Sequence, residues 1–353
     1  MMKPRHIIVR GPNWTGDVIM ATPGFRALRA GFPEARLVLH LRPGLEALVA
    51  GSPWFDEVIP VESYQRGPAA LVREAARLRG RRFDLGVCLP DSFSAALLLR
   101  LAGVREVVGW RRGFRAALLH RAPTPPGDGG GRLLMPREEH VLGLVRALGC
   151  EARGTHLELF VTAAEEAQAA AALEAAGLDP AAPRALLAPG ASYGPSKLWP
   201  AERFADVGDG LARAGAAVAV IGAPGERALA ERVVAAMQQP AANLAGSLSL
   251  GALKAAVRGA RLLVGNDAGA RHVAVAFGVP AVILMGPTAL EKTGLNLDRV
   301  EVLSADVPCR PCYLRECPID HRCMTRIEPE RVLAAALPAL EGPRPLRHAW
   351  GAR

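Results

Sequence analysis

Residues 261–286 are the stretch of this sequence that most constrains its fold. Residues 261–264 are an apolar run, 265–269 form a turn with glycines and an acid, and apolar residues dominate 274–278 and 280–286. This order predicts a strand, a turn, a helix and a second strand, the repeating unit of a parallel sheet. A helix after such a turn begins with N–H groups that have no partner within the helix, and these can bind a phosphate.

The turn itself carries candidate binding residues. Asn266 or Asp267 is expected to cap the helix that begins near Gly269. Because glycine has no side chain, Gly269 allows the backbone to come close to a ligand. The chain opens with a second glycine-rich turn that ends in an acid, at residues 11–17. Together the two turns favour a protein that binds a phosphorylated ligand.

The first half of the chain alternates short apolar runs with helical patterns. Val18, Ala21, Phe25 and Leu28 recur at helical spacing and predict one helix after the first strand. Runs of this length, alternating with helices, are typical of a parallel sheet covered on both faces. The predicted strands are 7–10, 37–41, 57–61, 85–89 and 106–109.

The second half repeats the pattern. A helix predicted at 164–176 leads to strands at 185–188 and 217–221, and the last helix is expected to stop at Pro338. We therefore predict an α/β protein with two Rossmann-like domains, whose parallel sheets face one another across a cleft that binds ligands. The predicted boundaries are 1–160, 161–340 and a flexible basic tail at 341–353.

Charge and composition limit the classes of partner that this chain is expected to bind. The formal net charge is +9, so an anionic partner is expected. Nucleic acid is disfavoured because aromatic residues make up only 5% of the chain and the basic residues are dispersed. The sequence shows neither a signal peptide nor 18 consecutive apolar residues, which predicts a cytoplasmic protein without a membrane-spanning helix.

Two charged residues of the second half are candidate ligand contacts. Lys197 lies in a Gly/Ser/Pro-rich loop after a strand, where its ammonium could meet a phosphate, although most exposed lysines have no such role. Glu226 follows the turn 222–225, where a carboxylate can accept both hydroxyls of a ribose or simply occupy the first turn of a helix. Arg271 or His272 could add charge to the turn at 267–269. A P-loop is excluded, because the chain lacks its Gly-x4-Gly-Lys-[Ser/Thr] motif.

The first half offers a candidate base and a basic cluster. Asp17 closes the first glycine turn, where it can be either an N-cap or a general base aimed at the nucleotide site. Arg111, Arg112 and Arg115 follow the last predicted strand of this half. They form either a solvated charged face or a patch for the phosphates of an acceptor or of a membrane surface.

The six cysteines include a compact group near the end of the chain. Cys309, Cys312, Cys317 and Cys323 have the spacing Cys-x2-Cys-x4-Cys-x5-Cys, with His321 nearby. This spacing can hold a tetrahedral zinc or an iron–sulfur cluster. Free thiols, or thiols that occasionally form disulfides, remain the alternative.

Several of these motifs, in this order, resemble the heptosyltransferases of glycosyltransferase family 9. The matching segments are 13–18, 189–191, 197–200, 222–226, 266–269 with His272, and 286–288. The resemblance implies a GT-B fold and inverting transfer of L-glycero-D-manno-heptose from ADP-heptose, without a catalytic metal. The opening segment and the cysteine segment resemble most the subgroup whose acceptor is the first heptose of the lipopolysaccharide inner core.

The resemblance also assigns roles to residues. Asp17 matches the catalytic base, Lys197 the residue that neutralises the diphosphate, and Glu226 the residue that holds the ribose. Asp267, Ala268 and Gly269 match the phosphate-binding turn, beside which His272 lies. Secondary positions are Gly16, Ser192, Gly222 and Thr288.

One departure concerns the phosphate-binding turn. The family often has Thr or Ser where Ala268 and Ala270 stand, so a hydroxyl contact to the phosphate is lost while the backbone N–H groups remain.

The expected partners are ADP-heptose, an inner-core acceptor that contains Kdo, heptose and lipid A, and the anionic inner face of the inner membrane, where the protein would be peripheral.

Other functions remain open at this level. Heptosyltransferase I or another ADP-heptose-dependent transferase is the nearest alternative. A GT-B nucleotide-sugar epimerase would need more acids and histidines than the first-domain loops supply. A solute-binding module is disfavoured by the missing signal peptide.

Overall fold

The computed structural model describes residues 4–63, 66–126 and 135–341. The chain divides into two compact units, Met1–Phe160 and Val161–Arg353. The predicted tail lies outside the described residues except for Glu341, which belongs to the last helix. In the described ranges, no helix is both long enough and apolar enough to cross a membrane.

The first unit contains a five-stranded parallel sheet in the order β3-β2-β1-β4-β5. Its strands are β1 (His6–Arg10), β2 (Arg36–Leu41), β3 (Glu57–Pro60), β4 (Leu85–Cys88) and β5 (Glu106–Gly109). Its α-helices are α1 (Thr15–Met20), α2 (Thr22–Gly31), α3 (Gly67–Arg79), α4 (Phe93–Leu101) and α5 (Arg137–Ala147), and 3-10 helices lie at Glu46–Leu48 and Gly113–Leu118.

The strand order of the first unit indicates where its sheet would bind a ligand. The central strands are buried almost throughout, because helices cover both faces of the sheet. From β1 the chain first builds outward through β2 and β3, and then returns to place β4 on the other side of β1. The carboxyl ends of β1 and β4 therefore flank the point where the strand order reverses, which is where open α/β sheets bind ligands.

The second unit contains a six-stranded parallel sheet in the order β11-β10-β9-β6-β7-β8. Its strands are β6 (Arg184–Ala188), β7 (Ala217–Val220), β8 (Ala241–Asn243), β9 (Leu262–Asn266), β10 (Ala281–Leu284) and β11 (Val300–Leu303). Its α-helices are α6 (Ala163–Ala175), α7 (Ala201–Arg213), α8 (Arg227–Ala236), α9 (Leu250–Arg258), α10 (Gly269–Ala276), α11 (Arg322–Thr325) and α12 (Pro329–Glu341); 3-10 helices lie at Pro195–Lys197, Pro224–Glu226 and Leu290–Lys292.

In this second sheet the strand order reverses between β6 and β9. The loop after β6 contains Lys197, and the turn after β9 contains Asp267. Both predicted ligand loops therefore leave the sheet at the same point, at the carboxyl ends of adjacent strands.

The first predicted helix is in fact two helices, and this corrects the sequence-based expectation. α1 ends at Met20 and α2 begins at Thr22, with Pro23 in the first turn of α2. Proline has no N–H to donate and is therefore favoured in a first turn, where no intrahelical partner is needed. The apolar spacing did not reveal the break, because Val18 and Phe25 are both buried.

The expectation that Pro338 stops the last helix is wrong. α12 continues to Glu341 with Pro338 inside it. Pro338 is exposed, whereas Ala336 and Leu340 on either side are buried, so continued packing outweighs the loss of one hydrogen bond. Pro60, which ends β3, is tolerated because β3 is an edge strand.

Candidate functional site: the loops at the carboxyl ends of β6 and β9

Asn266 ties the two ligand loops of the second unit together. Its side-chain Nδ2 donates to the carbonyl of Pro189 at 2.7 Å, and its Oδ1 accepts from the Trp199 N–H at 3.3 Å. The expected capping role is therefore wrong: Ala268 is the N-cap of α10, and no side chain caps this helix. The amide of Asn266 instead fixes the loop after β6 against the end of β9.

Asp267 is an ion-pair partner rather than a cap. Its Oδ2 lies 2.6 Å from the Lys197 ammonium, and its Oδ1 lies 2.7 Å from Arg271 Nη1. Lys197 also donates to the Asp267 carbonyl at 2.8 Å, and Thr288 Oγ1 donates to Oδ2 at 3.1 Å. Two of the predicted donor-binding residues, Lys197 and Asp267, and the secondary residue Thr288 thus meet at one carboxylate.

The charges around Asp267 set its protonation state. Burial alone would raise its pKa, but the charges of Lys197 and Arg271 outweigh burial and hold the pKa of Asp267 well below its usual range. Arg271 is itself buried and donates to the Thr293 carbonyl at 2.6 Å. From the sequence, Arg271 was expected only to add charge. Its position four residues after Asp267 was the available signal for this ion pair, because side chains at that spacing are neighbours when the chain is helical.

His272 lies in the first turn of α10 and is buried. Burial, together with the nearby charge of Arg271, lowers the pKa of His272 to about 3. The imidazole is therefore neutral at physiological pH, which corrects the expectation that His272 could add positive charge beside the phosphate-binding turn. The neutral ring can offer one hydrogen-bond donor and one acceptor.

The start of α10 presents backbone donors. Ala268 and Gly269 are half-buried, and α10 begins at Gly269 immediately after the turn. The N–H groups in the first turn of a helix have no partner within that helix, and the partial positive charge there favours an anion. Lys197 reaches Asp267, directly before this end, so an ammonium and a set of N–H donors lie together.

Glu226 is seated between two glycines. Its Oε2 accepts a hydrogen bond from the Ala223 N–H at 2.8 Å. A Cβ added at Gly190 would come within 2.1 Å of the Glu226 Cδ, and one at Gly222 within 3.0 Å of Oε2. Both glycines therefore make room for the carboxylate, which lies against the loops that follow β6 and β7. Ser192 is exposed in the first of these loops.

In the first unit, Asp17 follows β1, one of the two strands between which the strand order reverses. It lies in the first turn of α1, after β1, and is not the N-cap, which is Trp14. Its side chain is 31% exposed, with Oδ1 3.7 Å from Arg137 Nε on α5. Gly16 precedes it within the same helix. Sequence reasoning missed Arg137, which no motif marks.

The three arginines after β5 do not form one surface patch. Arg111 is exposed and Arg112 half-buried, but Arg115 is buried, with Nη2 donating to the Trp110 carbonyl at 2.8 Å. The same nitrogen lies 3.1 Å from Asp91 Oδ1. The expectation that Arg115 faces an acceptor phosphate is therefore wrong, because backbone carbonyls and a carboxylate already surround it.

The four clustered cysteines are all free thiols. They line one largely apolar cavity of about 80 Å³ together with His321. Within the described ranges, no group of three or more His, Cys, Asp or Glu side chains is arranged to hold a metal ion. This arrangement therefore gives the predicted structural zinc site no support, and that site stays a prediction. Burial, followed by the three neighbouring thiols, raises the pKa of Cys323.

Comparison with known proteins identifies the family. The model for glycosyltransferase family 9 (heptosyltransferase) matches residues 71–322. The chain belongs to glycosyltransferase family 9. As a member of that family it is an enzyme, and its two parallel sheets confirm the predicted α/β fold of GT-B heptosyltransferases.

Named members of family 9 resemble this glycosyltransferase over most of its length. Lipopolysaccharide heptosyltransferase 2 of Salmonella typhimurium is 28% identical over 298 residues, which cover 81% of this chain and 84% of the relative. The structure of E. coli ADP-heptose lps heptosyltransferase II has a TM-score of 0.79 at 25% identity, covering 95% of this chain and 98% of that one. A family 9 structure from Veillonella parvula has a TM-score of 0.81 at 24% identity, with 95% and 97% covered.

Proposed function

We propose that this family 9 glycosyltransferase transfers L-glycero-D-manno-heptose from ADP-heptose to the first heptose of the lipopolysaccharide inner core. The observation that carries the proposal is the contact of Lys197 with Asp267, directly before the N-cap of α10, at the point where the strand order of the second unit reverses. The names of two relatives, a lipopolysaccharide heptosyltransferase 2 and an ADP-heptose lps heptosyltransferase II, support the heptose donor and a lipopolysaccharide acceptor. The first heptose as the acceptor sugar follows from the resemblance of the opening and cysteine segments.

The donor contacts follow from the loops of the second unit. The diphosphate of ADP-heptose would accept hydrogen bonds from the backbone N–H groups of Ala268 and Gly269. Lys197, whose ammonium is paired with Asp267, would also interact with the leaving phosphate, which gains negative charge in the transition state. Glu226 would accept hydrogen bonds from the ribose hydroxyls. We propose that these groups neutralise the leaving group without a catalytic metal.

Asp17 is proposed as the general base of the transfer. It would take the proton of the acceptor hydroxyl while that oxygen attacks the anomeric carbon from the face opposite the diphosphate, so the configuration inverts. Arg137 Nε on α5 lies 3.7 Å from Asp17 Oδ1, and this ion pair helps to position the carboxylate. Asp17 is partly exposed, as a group that must meet a substrate has to be.

The acceptor and the net charge both bear on where in the cell the enzyme acts. The acceptor carries acyl chains, and the chain has a formal net charge of +9, which favours contact with an anionic surface. We propose that the enzyme works in the cytoplasm, peripherally on the inner face of the inner membrane, with exposed Arg111 among the residues that meet anionic groups.

The decisive experiment compares two acceptors with ADP-heptose as donor. Core lipid A that carries one heptose should be extended, whereas core lipid A that carries none should not. Extension of the second acceptor alone would replace the proposal with heptosyltransferase I. Transfer to neither, with ADP-heptose bound, would show that the acceptor assignment is wrong.

The role of Asp17 has its own test. Asp17→Asn should reduce kcat by about 10²-fold or more, because general-base catalysis contributes 10²–10⁴-fold. The affinity for ADP-heptose, measured by calorimetry, should stay within about twofold of the unchanged enzyme. Turnover comparable to that of the unchanged enzyme would remove Asp17 from the mechanism.

A further inference from the structure

A second acidic side chain lies at the ligand-binding position of the first unit. Asp91 follows β4, and β4 pairs directly with β1, whose carboxyl end leads to Asp17. The strand order reverses between these two strands. Asp91 therefore has the same topological position relative to β4 that Asp17 has relative to β1.

Helix α5 connects the two carboxylates. Arg137 Nε lies 3.7 Å from Asp17 Oδ1, and His140 Nε2 lies 3.4 Å from Asp91 Oδ2. Arg137 and His140 are three residues apart, so they are neighbours on one face of the helix, with Cβ atoms about 5–6 Å apart. Asp17 and Asp91 therefore approach the same face of α5 within one helical turn of each other.

Asp91 is held firmly but remains accessible. Arg115, which is buried and fixed by the Trp110 carbonyl, lies 3.1 Å from Asp91 Oδ1, yet 32% of the Asp91 side chain is exposed. Burial alone would raise the pKa of Asp91, but His140, Arg115 and Arg137 outweigh burial and hold it below its usual range. An ionised carboxylate in this state accepts hydrogen bonds and has lone pairs left for a ligand.

Two exposed aromatic rings stand beside this carboxylate. Asp91, Phe93, Arg112, Phe114 and Arg115 line one open hollow of about 630 Å³, which is in the range of small-ligand sites. Phe114 is 94% exposed and Phe93 is 51% exposed. Large aromatic side chains left in water at a concave surface, beside oriented polar groups, are a mark of a binding site.

We propose that this hollow binds the acceptor glycan, with Asp91 accepting hydrogen bonds from its hydroxyl groups. The rings of Phe93 and Phe114 pack against the C–H faces of the sugar rings, and Arg112 pairs with a carboxylate or phosphate of the glycan. Bound there, the glycan lies next to Asp17. The inference rests on the proposed function and adds the place and the contacts of the acceptor.

A lipid surface is the less favoured occupant. Exposed phenylalanines also insert into membranes, but Asp91 places an ionised carboxylate in the same hollow. That carboxylate suits a ligand rich in hydroxyl donors, which the phosphates of a headgroup layer do not supply. The chemistry of the hollow therefore favours a saccharide.

The test uses Asp91→Asn and Phe114→Ser in the full-length enzyme, with Val72→Ser on α3 as a control for an exposed apolar residue outside the hollow. The probe is the inner-core saccharide with one heptose, freed of its acyl chains. Both hollow variants should raise the KM for this saccharide about tenfold or more, while the KM for ADP-heptose changes less than twofold. Val72→Ser should match the unchanged enzyme. Phe114 is almost fully exposed, so its replacement does not put folding at stake.

The outcomes separate the inference from the proposed function. Unchanged saccharide KM in both hollow variants, with normal transfer by the unchanged enzyme, would overturn the hollow as acceptor site. A defect seen only with the acylated acceptor in anionic vesicles would assign the phenylalanines to the membrane and also overturn it. Absence of transfer by the unchanged enzyme would overturn the proposed function, and calorimetry with the saccharide would then test the hollow alone.

Discussion

Gly190 and Glu226 are packed so closely that the glycine controls the carboxylate. Gly190→Ala would place a methyl group 2.1 Å from the Glu226 Cδ, so the side chain would have to leave its seat on the Ala223 N–H. We expect Gly190→Ala to weaken ADP binding about as much as Glu226→Ala, by roughly tenfold, which is about 1.4 kcal/mol. Calorimetry with ADP measures both effects.

The control for this substitution lies in the same loop region. A Cβ added at Gly225 meets nothing within 4 Å, so Gly225→Ala should bind ADP normally. If Gly190→Ala weakened binding further in a Glu226→Ala background by its full single-mutant amount, the two residues would act independently, contrary to this interpretation.

The low pKa of His272 should make the stability of the second unit depend on pH. Its folded pKa of about 3 is far below the unfolded value of 6.5, so the unfolded state binds the proton first as pH falls. Stability should therefore decline below pH 6.5 by about 1.4 kcal/mol per pH unit, until the folded pKa is reached. His272→Gln should remove about 2 kcal/mol of the stability difference between pH 7 and pH 5 in urea unfolding. An equal pH dependence in both proteins would contradict the assignment.

At the scale of elements, α2 and α5 show how close packing depends on one missing side chain. A Cβ at Gly24 would come within 2.3 Å of Val141 Cγ1. Gly24→Ala therefore gains helix propensity but overpacks the contact, at a cost of about 1–3 kcal/mol. In a Val141→Ala background the clash is absent, and the same substitution should be at least about 1 kcal/mol more favourable. Equal effects in the two backgrounds, measured by urea unfolding, would exclude the clash.

Strands were predictable where apolar runs are short and bounded by turns, as at β5 and β9. Helix α4 and strand β11 were not predicted. α4 is apolar on nearly every side, so it lacks clear periodicity, and β11 alternates exposed and partly buried residues at a sheet edge. The split between α1 and α2 was missed because buried residues continue across it.

The site was predictable at the level of loops but not of contacts. Asp267 and Lys197 were predicted to contact a ligand because they follow predicted strands, and the strand order does bring their loops together. The ion pair between Lys197 and Asp267 joins residues 70 positions apart, and Arg115 becomes buried only through the fold. Spacing in a sequence does not encode such long-range partners, so an exposed patch and a capping role were predicted instead.

At the scale of the whole molecule, we expect the net charge to promote encounter with the acceptor. Lys and Arg number 43 against 34 Asp and Glu, and charges of opposite sign attract over about 10 Å at 0.1 M salt. We expect kcat/KM for the inner-core acceptor to fall several-fold between about 0.05 and 0.5 M NaCl. A dephosphorylated acceptor should show a smaller decrease. Identical salt dependence for both acceptors would argue against electrostatic attraction of the acceptor.

The ion pair at the end of β9 also has an entropic consequence. A lysine that is free in solvent loses about 1.5–2 kcal/mol of rotamer freedom when a ligand immobilises it. The Lys197 ammonium is already held by two oxygens of Asp267, at 2.6 and 2.8 Å, before any phosphate arrives. That ordering cost is met during folding, so a diphosphate that binds there encounters a lysine whose position has been chosen in advance.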